Sequence, residues 1–321
     1  MQRSLYLFVL VLITPLVWAQ DVISVRSGLI HRVEGHATLA GKQVILDNSR
    51  FPIAGIGQIL EVESGFVEVL LTPGAFLRLD KGASFRLLAN RLEDTQIEVL
   101  SGTALVEIDE LDKTNHISVQ VGTFHTALLK HGLYYFDAEV GRLRVFQGKA
   151  QATGEGVPVE LTKGRTVLFD PVMKPEKFKT KQAQDSLYAW SQVRAMQLST
   201  ANISASRSMQ GSAIRSSFWV WDPWMGMITF MPRSGSLGSP FGIYWYNPGT
   251  VWIVSQPRQV AYDMGSSGGS SNSWSGLAGR AAATAPASSD SGVARSTPSV
   301  AASAPAAAAP AATASSGSRG R

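Results

Sequence analysis

The sequence predicts an all-β protein: a jelly-roll-like antiparallel β-sandwich, followed by one amphipathic helix, an aromatic-rich segment and a disordered tail. Three observations predict it. A short unit of strand plus glycine recurs seven times before residue 165. Segments with helical periodicity are nearly absent before residue 183, which argues against a β/α protein. After Asp170 the composition changes, first to a lysine- and proline-containing stretch and later to Trp-rich and then Ala/Ser/Gly/Pro-rich sequence.

The bulk properties permit such a fold and exclude several chemistries. A chain of 321 residues with 45% hydrophobic residues can fill a real core. It contains no cysteine, so disulfides, thiolate metal sites, a Cys nucleophile and lipid-modified cysteine are all excluded. The formal charge of +5 sits mostly at the ends. Arg3 carries one unit, and residues 265–321 carry +3 from four arginines against Asp290, leaving +1 on residues 4–264. A near-neutral body with no Lys/Arg stripe offers no electrostatic basis for binding nucleic acid.

The first residues, "MQRSLYLFVLVLITPLVWAQ", combine Arg3, an apolar run from Leu5 to Ile13, a break at Pro15 and small or apolar residues at Val17 and Ala19. That order is the pattern of a secretory signal peptide, residues 1–19, with cleavage after Ala19. The alternative, an uncleaved anchor, is disfavoured because the run is shorter than the ~20 apolar residues a spanning helix needs. The expected location is periplasmic or secreted, with no transmembrane anchor in the mature chain.

The repeated unit places apolar residues five and three positions before a glycine. "IEVLSG" (Ile97, Val99, Gly102) defines it, and the spacing recurs at Gly28, Gly65, Gly82, Gly122, Gly148 and Gly164. Apolar residues at period two mean a strand with one buried face, and the glycine supplies the positive φ of a tight turn or bulge. A parallel β-helix also repeats at about 20 residues. The sandwich is preferred because the interval between glycines is irregular, falling to 10 residues at Gly132 and then rising to 16.

The run "GQILEVESGFVEVLLTPGAFLRLDKGASFRLL", followed by "TQIEVLSGTALVEI", "ISVQVGTFHTALLKHGLYYFD" and "LRVFQGKAQA", resembles the FecR-type periplasmic domain. The resemblance covers about residues 57–152. "SGLIHRVEGHATLAGK" before it and "VELTKGRTVLFD" after it look like the flanks of stand-alone members, which sets the expected domain at 20–170. It implies a jelly-roll-like sandwich with a periplasmic role in sensing or protein contact. Founding members of the family relay a periplasmic signal across the inner membrane to a cytoplasmic anti-sigma segment. This chain departs from that plan, having only a signal peptide before the β-region and no internal membrane helix, so the module is carried over and the circuit is not.

Beyond the sandwich, "PVMKPEKFKTKQAQ" reads as an exposed linker, residues 171–184. Asp185 is a good N-cap for a helix over 185–202, with Leu187, Trp190, Val193 and Met196 at steps of three. The apolar side of this helix is expected to dock on the β-domain, or alternatively on a partner. Residues 203–264 hold five of the eight tryptophans, between Trp219 and Trp252. Either these rings pack against the body as extra strands and loops, or they form an aromatic surface for a peptide, sugar ring or lipid interface. The candidate partner-binding residues are Trp221, Trp224, Trp245 and Trp252. Residues 265–321 are too poor in large apolar side chains to offset ordering entropy and are expected to be disordered.

No catalytic constellation is expected. Among the histidines, His31, His36, His116, His125 and His131, only His31 with His36 and His125 with His131 are close in sequence, and of these pairs His125 and His131 have the even spacing to share a strand face, about 20 Å apart and too far for one metal. The acidic run "EIDELD" (Glu107, Asp109, Glu110, Asp112) lacks the glycine and register of a calcium loop and reads as a solvated turn. Gly-x-Ser-x-Gly and a phosphate-binding glycine loop are both missing. The expectation is a non-enzyme without cofactor or metal. It would be a periplasmic recognition or signalling module that contacts an envelope protein or senses an extracytoplasmic signal. The alternative is a carbohydrate or cell-wall binding module using the aromatic segment.

Overall fold

A computed structural model describes residues 22–23, 27–47 and 51–255. The expected signal peptide and the tail over 265–321 lie outside the described residues. The chain order is β1 (Val22–Ile23), β2 (Leu29–Leu39), β3 (Lys42–Gln43), β4 (Ile59–Leu70), β5 (Ala75–Leu79), β6 (Ser84–Asn90), β7 (Asp94–Ser101) and β8 (Thr103–Ile108). There follow β9 (His116–Val121), β10 (Phe124–Leu128), β11 (Gly132–Asp137), β12 (Arg142–Gln147), β13 (Lys149–Thr153), β14 (Val159–Thr162), β15 (Arg165–Leu168) and β16 (Glu176–Lys177). The C-terminal part is α1 (Ser186–Ser208), β17 (Phe218–Asp222), β18 (Met227–Met231), β19 (Ser236–Gly238), β20 (Tyr244–Tyr246) and α2 (Trp252–Ser255).

Strands β2 to β16 form one sheet of 15 strands, in the order β14-β13-β10-β9-β7-β6-β4-β5-β8-β11-β12-β15-β16, with β2 on β4 and β3 on β2. Its pairings are antiparallel except β7 with β9. The sheet folds over on itself as an all-β sandwich, because inward side chains from both halves meet in one core: Val67, Leu77, Phe85, Val99, Val106, Val119, Phe136, Val145 and Ala152 among others. All seven glycines of the repeat have positive φ, from 58° at Gly122 to 109° at Gly28. Gly102 ends the β7 strand, and a Cβ there would stand 2.5 Å from the Ala83 Cα, so both backbone angle and space demand glycine.

The strands divide into two kinds. In β9 and β13 buried and more exposed positions alternate, as expected where one face meets solvent. In β5, β8 and β11 nearly every residue is buried, because a second layer covers their outer face. That layer is α1 with the β17–β18 hairpin. Leu105, Leu133, Tyr135 and Phe146 pack with Leu187, while Leu70 and Phe76 pack with Leu198, Trp219, Phe230 and Trp245. Strand β1 pairs with β17, so the start of the described chain joins the C-terminal hairpin.

Three sequence expectations change here. The segment expected as an exposed linker is exposed along most of its length but is anchored as a strap: β16 pairs with β15, Met173 is buried, and Phe178 meets Phe146 edge to face at 5.2 Å. The helix runs on to Ser208, and its apolar steps of three do not mark the docked face. Leu187 is buried and Trp190 half-buried, but Val193 and Met196 face solvent. The docked face is Leu187, Ser191, Arg194, Ala195, Leu198, Ala201, Asn202 and Ala205, which follows the 3.6-residue period. It is largely small or polar because it meets backbone and buried charge. Finally, the "EIDELD" turn is not solvated as a whole, since Glu107 and Asp109 are fully buried.

Candidate functional site

Beneath α1 lies a sealed ionic cluster. Glu68, Arg78 and Glu107 sit on the neighbouring strands β4, β5 and β8, on the outward face that the second layer covers. Glu68 Oε2 accepts from Arg78 Nε at 2.8 Å, and Arg78 Nη1 donates to Glu107 Oε2 at 2.5 Å. From α1, Arg194 Nη2 donates to Glu68 Oε1 at 2.8 Å. From β2, His31 Nδ1 lies 3.0 Å from the same oxygen. The Ile228 backbone N–H donates to His31 Nε2 at 3.0 Å, which fixes the neutral tautomer with its proton on Nδ1. From the β19–β20 segment, the Ser239 hydroxyl donates to Glu107 Oε1 at 2.5 Å.

The charges balance. Burial pushes the Glu68 carboxyl up, but the Arg194 and Arg78 guanidiniums and the His31 hydrogen bond outweigh it and hold the group well below its ordinary value. Burial lowers Arg78, and Glu107 and Glu68 more than reverse this. Burial lowers His31 despite its Glu68 partner, so the ring is neutral. Asp109 goes the other way, raised well above the usual carboxylate range by burial and by the neighbouring Glu107 charge. Two carboxylates thus face two guanidiniums beside a neutral His31, with Asp109 shifted toward its protonated form. Each of these six residues is 4% exposed or less, so no substrate reaches them in this state. The cluster joins the covering layer to the sandwich.

Neighbouring polar contacts do the same. Asp185 caps α1 by accepting from Tyr188 N at 3.0 Å while its other oxygen accepts from the Tyr135 hydroxyl at 2.5 Å. Trp190 stacks on Phe66 and donates to Glu34 Oε2 at 2.8 Å. Asn202 donates to the carbonyls of Phe230 and Tyr246 and accepts from Tyr246 N. Asn202 thereby satisfies backbone groups of β18 and β20, which is costly to leave undone in a buried layer.

The four candidate tryptophans separate. Trp245 is fully buried, stacked on Phe76 and edge to face with Phe230 at 5.5 Å, so its expected exposure is corrected: it is core. Trp221 is half-buried beside Phe51. Trp252 is 51% exposed, and Trp224 is 83% exposed. Trp224 occupies the turn between β17 and β18. There Asp222 Oδ2 accepts from Met225 N and Asp222 Oδ1 accepts from the Ser204 hydroxyl of α1, so the indole is held out from a braced turn. Together with Met225, Thr200, Ile203, Ser204, Arg207 and Ser208 it lines an open groove of about 540 Å³.

The histidines divide similarly. His31 belongs to the buried cluster, whereas His36, His116, His125 and His131 are exposed. His125 lies on β10 and His131 just before β11, so the two do not share a strand. Among the described residues no three His, Cys, Asp or Glu side chains are grouped to hold a metal ion. None of the described helices is long and apolar enough to cross a membrane.

No family model and no curated protein matches the sequence. Similar solved structures include two crystal structures described as "a putative anti-sigma factor" from Parabacteroides distasonis ATCC 8503. One is 16% identical with a TM-score of 0.35, the likeness covering 42% of this chain and 64% of that chain. The other is 14% identical with a TM-score of 0.35, covering 61% and 87%. This chain therefore spans less than two thirds of the first neighbour's length. So loose a likeness carries no weight for function.

Proposed function

We propose that the protein is a non-enzymatic, extracytoplasmic recognition or signalling module of the FecR type that contacts an envelope protein through the Trp224 turn and the adjoining face of α1. The observation that carries this reading is Trp224, an indole 83% exposed on a turn fixed by Asp222. Around it exposed apolar side chains alternate with polar ones. Met225 is beside it, and Val193, Met196, Thr200, Ile203 and Arg207 fall on one arc of α1 of about 80°. Rigid aromatic anchors flanked by methionine and aliphatic side chains are what protein interfaces use. The compartment rests on the signal-peptide pattern of residues 1–19, and the FecR assignment rests on the strand and glycine pattern of residues 57–152.

The test is capture from the native envelope with wild-type protein and with Trp224→Ala. The reading expects a cross-linked protein that Trp224→Ala loses while its melting temperature holds. Retention on insoluble glycan instead, with no protein adduct, would move the assignment to the carbohydrate-binding class.

A further inference from the structure

The strap over residues 171–184 does more than close the sandwich. With β12 and β15 it lines a half-open pocket of about 470 Å³ that shares no lining residue with the groove at the Trp224 turn. Four cationic side chains line it: Arg142 and Arg144 from β12, and Lys174 and Lys179 from the strap. Arg142 and Arg144 point the same way because they alternate with the buried Leu143 and Val145. The strap is pinned on both sides of this cavity. Asp170 Oδ1 accepts from the backbone amides of Val172 and Met173 at 3.0 and 2.6 Å, Met173 is buried, and Phe178 packs on Phe146. The Arg144 guanidinium lies 5.7 Å over the Tyr135 ring, which orients its planar fork.

None of the four cations forms an ion pair among the described residues, although Arg32, Arg86 and Lys149 elsewhere on the surface each pair with a glutamate. The lining carries two acids, Asp170, engaged by the strap backbone, and Glu176. The cavity therefore concentrates a net +2 on a body whose total is about +1. Like charges gathered around one concavity repel each other until an anion enters, and paired arginines offer bidentate donors to phosphate or carboxylate oxygens.

From this geometry we infer that the Arg142–Arg144–Lys174–Lys179 cavity is a binding site for a small multivalent anion, bearing phosphate or carboxylate groups. The volume exceeds that of a single phosphate and suits a diphosphate or a tricarboxylate. The experiment is isothermal titration of the full mature chain with sodium pyrophosphate and, separately, sodium citrate. Variants are Arg142→Gln/Arg144→Gln and Lys174→Gln/Lys179→Gln, with melting temperatures taken in parallel. The site predicts a Kd below about 1 mM for at least one anion, weakened about tenfold or more by either double substitution and also by raising salt above about 0.15 M. Binding of pyrophosphate alone marks a phosphate site, and binding of citrate alone a carboxylate site. The lysine variant, which alters only exposed strap positions, keeps the test valid if the arginine variant loses stability. Absence of binding by both anions, or binding that neither double variant weakens, overturns the inference. Trp224→Ala is expected to leave anion binding unchanged, so failure at either surface is distinguishable from failure at the other.

Discussion

Replacing Arg194 by leucine removes one of the two cations from the sealed cluster under α1. Glu68 then keeps Arg78 at 2.8 Å and His31 at 3.0 Å but loses Arg194 at 2.8 Å. The balanced set becomes one negative charge in excess, at a carboxylate with no solvent exposure. Breaking a buried pair from one side costs about 3–5 kcal/mol, a large share of the roughly 5–15 kcal/mol that holds a typical domain together. The cost has a pH signature. Arg194 helps hold Glu68 well below its ordinary value, so without it the group protonates at higher pH, and protonation relieves the unpaired charge. The deficit should therefore be greatest near pH 7 and shrink as the pH falls. Adding Glu68→Gln to Arg194→Leu removes the excess charge, with a coupling of about 0.5–3 kcal/mol. Urea unfolding of the single and double variants at several pH values measures all three effects. A loss under about 1 kcal/mol that does not vary with pH would refute the balanced-cluster account.

Two further substitutions test other parts of the structure. Gly102→Ala and Gly82→Ala both place a side chain at positive φ, 66° and 81°, but a Cβ at 102 meets Ala83 backbone atoms at 2.5 and 2.6 Å while one at 82 meets nothing within 4 Å. Both should lose about 1–2 kcal/mol from backbone angle, with Gly102→Ala losing about 1–3 kcal/mol more from overpacking; equal losses in urea titrations would contradict the contact geometry. His31 is buried and neutral with its pKa lowered, so it contributes stability that is present above the unfolded value near 6.5 and lost as pH falls below it. His31→Gln should flatten the slope of stability between about pH 7 and pH 5, and an unchanged slope would show that His31 does not titrate on unfolding.

Much of the architecture was legible because it depends on local pattern. Period-two apolar residues and a glycine at fixed offset mark strand and turn within six residues, and each of those glycines does adopt positive φ. Asp185 was readable as an N-cap for the same reason. The covering layer was not, since its contacts join positions far apart in sequence, such as Glu68 with Arg194 and Glu107 with Ser239. A signal for it existed. "GAFLRL", "TALVEI" and "GLYYF" lack the polar alternation of a strand with one wet face, and such runs indicate burial on both sides. The same layer explains why α1 misled: its docked face carries Arg194, Asn202 and Ser206 to meet polar partners, leaving Val193 and Met196 outward. Aromatic density alone could not separate Trp245 from Trp224, because burial is set by where β20 and the β17–β18 turn place the rings.

The functional account rests on Trp224 being surface and Trp245 being core, and one paired measurement addresses both. Each is replaced singly by alanine, and each variant is assayed for melting temperature and for cross-linked capture in the native envelope. Trp245→Ala should lose about 3–5 kcal/mol of stability. Trp224→Ala should stay within about 0.5 kcal/mol of wild type and lose the captured protein. A Trp224→Ala variant that melts early, or one that melts normally and still captures the same protein, would contradict the proposed recognition surface.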